Sequence, residues 1–173
     1  MSAAYKVAFS LAKAIAVGIK LVEVEDKDVG SDSTTQTFSG LDGDTDGTYL
    51  MLGMLKNSSS SDCRILFNND ATGFAAKSLN GNGAAASSGS PSHPINRGAS
   101  DEHAFFIAFI RARSGNKRRI LGFSCHTSIL QAWSIEWPNT ADNVTSLVVE
   151  ADAGGQIKAG SKIALYKFSG VLT

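Results

Sequence analysis

Ala104-Phe105-Phe106-Ile107-Ala108-Phe109-Ile110-Arg111-Ala112-Arg113, then Ser114-Gly115-Asn116, then the return from Arg118 to Thr127, is the stretch whose reading decides the fold. An apolar run, a short turn containing glycine and a second apolar run together read as a β-hairpin. Side chains alternate across a strand, so Phe105, Ile107 and Phe109 share one side while Phe106, Ala108 and Ile110 share the other. Because both sides are apolar, neither face of this hairpin is meant for free solvation. One face is expected to fill a sandwich core. The other is expected to meet a second layer or another subunit.

The pattern continues outward in both directions. Downstream, Trp133, Ile135 and Trp137 alternate with Ala132, Ser134 and Glu136, which is the cleanest period-two signal in the chain, and Pro138-Asn139 stops it. Val144–Ala151 and Ser161–Phe168 follow as strands, separated by the Gly154-Gly155 and Gly160 turns. Upstream, Tyr49–Leu55 and Cys63–Phe67 read as strands joined by a polar hairpin loop, Asn57–Asp62, and Asn68–Asp70 closes the second of them with residues that tolerate turn geometry. Ile19–Glu25 reads as a strand, Asp26–Thr37 as a polar connector and Phe38–Gly47 as a turn region. Tyr5, Phe9, Ala12 and Ala16 recur at helix-like spacing over Tyr5–Val17. Asn80–Ser100, rich in Gly, Ser, Ala and Asn with Pro91 and Pro94, reads as a long loop that is either functional or mobile, with a neighbouring subunit and a receptor as the two contacts open to it. Many short strands with regular turn signals predict an all-β fold: an antiparallel, jelly-roll-like β-sandwich over residues 38–173, with residues 1–37 as an N-terminal arm, docking segment or short helix.

Composition agrees. Seventeen Gly stand against three Pro in 173 residues, a length suited to one domain with a sizeable core. Lys+Arg and Asp+Glu number 16 each, so net charge gives no case for a nucleic-acid or membrane partner. The charge is nevertheless uneven: residues 1–70 hold 10 acidic and 6 basic side chains, and residues 71–173 hold 6 and 10. The plain reading is two unevenly decorated solvent faces, with complementary subunit contacts as the alternative. Ala3–Val22 is apolar enough to suggest an export signal, but Lys6, Lys13 and Lys20 interrupt it, and it is read as part of the folded protein or its arm. Cys63 and Cys125 form no disulfide framework and sit in predicted strands, as small apolar residues do, which points to a reducing compartment.

Four patterns offer chemistry, and each has a plainer reading. Asp42-Gly-Asp44-Thr-Asp46-Gly47 matches the first half of a calcium loop, but the twelfth position, where a bidentate Glu belongs, is Gly53, so a strand-entry turn is preferred and no metal is assigned. Cys125 and His126 are neighbours on a strand and so point to opposite faces, which argues against a catalytic pair and for a buried Cys beside a satisfied or surface His. His93, His103 and His126 share no ligand spacing with the cysteines, and Gly81-Asn-Gly83-Ala-Ala-Ala86 lacks the strand–turn–helix context of a dinucleotide site. Arg111, Arg113, Lys117, Arg118 and Arg119 form one basic cluster, read as a solvated hairpin end protected against edge pairing, with no aromatic residues interleaved for single-stranded nucleic acid. No catalytic, cofactor-binding or metal-ligating residue is therefore assigned.

With the strands placed, the chain resembles a group of tailed-phage virion proteins with jelly-roll modules. The matching segments are Phe38–Tyr49, Leu66–Asp70, Trp137–Leu147 and Gly160–Lys167, in that order, covering most of residues 38–168. The resemblance implies a trimeric, non-enzymatic structural module that decorates or cements capsids or forms the tips of fibres, and it implies no catalytic residues. The expectation is a homotrimeric capsid decoration or cement protein, located in the virion and assembled in the host cytoplasm. Its partners would be the major capsid protein or other virion proteins, with no membrane, cofactor or specific nucleic acid. The absence of a heptad or collagen-like shaft favours the capsid over the alternative, a tail-fibre or receptor-binding domain recognising a host-surface glycan.

Overall fold

The computed structural model describes residues 20–56, 62–80, 87–88, 95, 102–126, 129–151 and 154–169. They form a nearly all-β, antiparallel sandwich. The larger sheet has eight strands in the order β1 (Lys20–Asp28), β11 (Lys162–Ser169), β3 (Thr48–Lys56), β7 (His103–Arg111), β8 (Arg118–His126), β9 (Ile129–Trp137), β5 (Ala75–Asn80) and β6 (Ser87–Ser88). The smaller sheet orders β2 (Thr35–Ser39), β10 (Ser146–Ala151) and β4 (Cys63–Phe67). One helical turn, α1 (Gly43–Asp46), lies between β2 and β3.

The chain alternates between sheets from β1 through β5, and again from β9 to β11. That alternation corrects one expectation. β3 and β4 do not form a hairpin: β3 pairs with β11 and β7, whereas β4 pairs with β10. A short polar link is compatible with a hairpin and with a crossing between layers, and the apolar partners available to each strand decide between them. The hairpin read from the opening stretch is present, with β7 antiparallel to β8 from Phe105↔Cys125 to Arg111↔Arg119 and Gly115 in the turn at φ +80°. β5 was not anticipated. β1 and the first residues of β2 precede residue 38 yet are hydrogen-bonded into the two sheets. Tyr5–Val17, Asn57–Ser61, His93 and most of Asn80–Ser100, including Gly81–Ala86, lie outside the described residues.

Packing follows the alternation. Phe106, Ala108, Ile110, Trp133, Ile135 and Trp137 on the larger sheet are buried together with Phe38, Ile65, Phe67, Leu147 and Val149 on the smaller. The layers meet where Phe67 stacks on Trp137 with ring centroids 5.4 Å apart. Two glycines set the thickness of this core. A Cβ on Gly53 would lie 2.1 Å from the Phe106 ring, and one on Gly122 would lie 2.2 Å from Trp133, so both rings rest directly on backbone.

Candidate functional site

The aspartate turn is a structural device rather than a converging ligand set. Asp42 caps α1, accepting hydrogen bonds from the Thr45 amide (3.2 Å), the Thr45 hydroxyl (2.7 Å) and the Asn143 side-chain amide (3.0 Å). Asp44 accepts the Ser114 amide at 2.6 Å. Asp46 accepts the Tyr49 hydroxyl at 2.8 Å and the Lys167 ammonium at 2.9 Å. The three carboxylates therefore face three different parts of the chain, and among the described residues no group of three or more His, Cys, Asp or Glu side chains is arranged to hold a metal ion. The Thr45 and Asn143 hydrogen bonds hold the Asp42 carboxyl below its ordinary range, and those from Ser114 do the same for Asp44. Burial, followed by the hydrogen bond to Asp46, pushes the Tyr49 hydroxyl far above its usual value, so it remains a donor.

The basic cluster divides in a way its sequence did not announce. Arg118 is fully buried, which corrects its reading as part of a solvated hairpin end. Its position two residues before Ile120, which also points inward, accounts for this. The guanidinium donates to the carbonyls of Ala112 (3.4 Å), Asn139 and Asp142 and lies 5.5 Å from the centre of the Trp137 ring. Arg118 thereby ties the β7–β8 turn to the β9–β10 link. Lys117 and Arg119 remain at the surface and share Glu136, at 2.6 and 2.9 Å. Arg113 donates to the Asp44 carbonyl at 3.2 Å.

Cys125 and His126 do point to opposite sides, but in the reverse of the expected sense. Cys125 is exposed, in register with Phe105 and Leu130 on the outside of the sheet, whereas the His126 side chain is only 9% exposed. Neither His126 ring nitrogen has a hydrogen-bond partner, and Glu102 Oε2 lies 3.9 Å from Nδ1. Cys63 is buried, and His103 is exposed. No nucleophile–base pair is formed between Cys125 and His126.

What the sheet does present is an apolar outer face. Strand register aligns Met54, Phe105, Cys125 and Leu130 in one row, Leu52, Ile107, Phe123, Ala132 and Leu79 in the next, and Leu50, Phe109 and Leu121 in a third. Phe105 is 50% exposed, Leu121 53% and Leu130 60%, and Met54, Leu79, Phe109 and Phe123 are exposed as well. At roughly 200 Å² for a whole aromatic side chain, these seven groups expose on the order of 600 Å² of apolar surface, the upper end for the largest patch on a monomer. The hairpin analysis anticipated a covered outer face; among the described residues Leu50, in the third row, is buried, whereas the seven exposed side chains lie under no second layer.

No family model and no curated protein matches this sequence.

Among the described residues no helix is long and apolar enough to cross a membrane.

Proposed function

We propose that this chain is a non-enzymatic structural subunit of a tailed-phage virion, acting as a trimeric decoration or cement protein that stabilises the head. The observation that carries the reading is the broad apolar face on the outside of the eight-stranded sheet, a surface suited to permanent contact with protein. The local chemistry is consistent with a scaffold. Carboxylates in the aspartate turn are occupied by structural hydrogen bonds, and the buried arginine is occupied by backbone carbonyls. The resemblance of Phe38–Tyr49 and Gly160–Lys167 to jelly-roll virion modules supplies the setting, with the major capsid protein as the neighbour on the particle. Those two segments fall on the β2–β3 link with its aspartate turn and on β11, the strand that binds β1 to β3.

Labelled antibody or tagged subunit imaged on intact particles tests the proposal. Signal distributed over the heads is expected. Signal confined to the tail would replace the decoration reading with the fibre-tip one, and no signal on particles would defeat both.

A further inference from the structure

The outer face of the larger sheet is not only apolar but electrically poled. Along its β1 edge, Glu23, Asp26 and Asp28 occupy the rows that continue through Tyr166, Ala164 and Lys162 to Leu50, Leu52 and Met54. Lys162 pairs with Asp28 at 2.8 Å, leaving this edge net acidic. Towards the other side, Arg111 on β7, Arg119 on β8 and Lys77 on β5 point out of the same face, with Lys117 beside them and Glu136 shared by two of the four. That side is net basic. β7, β8 and β5 lie three, four and six strand spacings from β1, roughly 14, 19 and 29 Å at ~4.8 Å each and beyond the ~8–10 Å reach of screened surface charge, so the acidic and basic groups do not neutralise one another.

We infer that the occupant of this face is a second copy of the chain, oriented so that the acidic β1 margin of one copy meets the basic β7–β5 side of its neighbour. The inference rests on the structural-subunit reading and adds to it the direction of the contact. Three observations select a second copy. The exposed apolar surface is most of the ~800 Å² that one partner gives to a standard interface. The margins are of opposite sign within one chain, so a copy supplies both complements. The acidic groups come from residues 23–28 and the basic ones from residues 77–119, so the uneven charge between residues 1–70 and 71–173 is expressed on this face as opposite signs. Like-with-like alignment would bring carboxylate against carboxylate at one end and cation against cation at the other, which fixes the orientation.

The test uses light scattering on the purified full chain at micromolar concentration, with circular dichroism and thermal unfolding reporting on the fold of each variant. The wild type is expected as an oligomer. Glu23→Lys with Asp26→Lys, and separately Lys77→Glu with Arg111→Glu, each weaken the assembly at least about tenfold through like-charge contact. All four changes in one chain restore it, because the margins have exchanged sign. Replacing Phe105 and Phe123 with Ser yields a folded monomer. A monomeric wild type overturns the inference, as does an oligomer whose mass ignores both reversals or fails to recover in the fourfold variant. Imaging separates the two proposals: a monomer in solution that still decorates heads defeats only this inference, and a charge-dependent oligomer absent from particles defeats only the proposed function.

Discussion

Gly122→Ala adds one methyl group and is expected to be among the most damaging small changes available to this protein. The new Cβ would lie 2.2 Å from Trp133 Cζ2 and 2.5 Å from Cε2. Carbon atoms in contact sit at ~3.5–4.0 Å, so the indole would have to retreat by roughly 1.3 Å or more. Trp133 is 2% exposed and packed among buried side chains on both layers, so no adjacent space receives it. Overpacking of this kind costs about 1–3 kcal/mol, and complete loss of a Trp from the core about 3–5 kcal/mol. Alanine's advantage over glycine within a strand offsets ~0.5–1 kcal/mol. The net expectation is about 1–3 kcal/mol of destabilisation. Urea unfolding at fixed protein concentration, followed by tryptophan fluorescence, measures it, with a shifted native emission as the local signature. Gly30→Ala is the control: nothing lies within 4 Å of its Cβ and its φ is ordinary, so the change should stay within ~0.5 kcal/mol. A Gly122→Ala protein matching that control, with unaltered emission, would refute the close approach of ring and backbone.

Arg118→Met strips three carbonyls of their donor, and Arg118→Lys is expected to rescue little because an ammonium cannot span Ala112, Asn139 and Asp142 as a planar fork does; each should cost about 3 kcal/mol in urea unfolding, and a neutral Lys variant would contradict the bridging role. The carboxyls of Asp42, Asp44 and Asp70 titrate below their ordinary 3.8 in the folded chain, Asp70 through hydrogen bonds from Thr72 and Trp137. Their stabilising contribution is therefore fully present above 3.8 and lost as pH falls through the lower folded values, so urea midpoints should hold from pH about 7 to 5 and drop below about 4, less steeply in Asp70→Asn; a midpoint unchanged at pH about 3 would contradict this. Since the aspartates of the turn face different donors, neither calcium nor a chelator at about millimolar concentration should move the thermal midpoint, and a rise with calcium would show a binding site in the turn.

The sequence made legible those elements whose signal is local. Trp133, Ile135 and Trp137 alternate with shorter or polar residues, and the three fall on the buried side of β9 as that rhythm requires. The β7–β8 hairpin was legible because its strands are long, strongly apolar and joined by a short link, 112–117, with Gly115 at its turn. β5 was not, because Ala75–Asn80 carries only small or polar side chains apart from Leu79, and its pairing with β9 supplies the order its composition lacks. The partners of β3 and β4 were hidden for a related reason: a link between strands constrains distance, not the sheet each one joins. In the candidate site, the outward aromatic row was readable from alternation alone, as was the outward Cys125 had the register been followed from Phe105 across the hairpin. Arg118 was obscured by its basic neighbours, although the same alternation that buries Ile120 places it inward.

β11 lies between β1 and β3, hydrogen-bonded to both, although it is the last strand described and they are the first and third. During synthesis on the ribosome, β1 therefore has no native neighbour in the sheet until more than a hundred further residues have emerged. Its acidic outer edge keeps that waiting strand soluble, since charge along an open edge discourages pairing with foreign strands. Pairings so distant in sequence also slow the search for the native state, into the millisecond-to-second range typical of such topologies. The larger sheet is thus completed from its far end, and removal of β11 would release β1 and strip β3 of one of its two neighbours, while β7, β8 and β9 keep theirs.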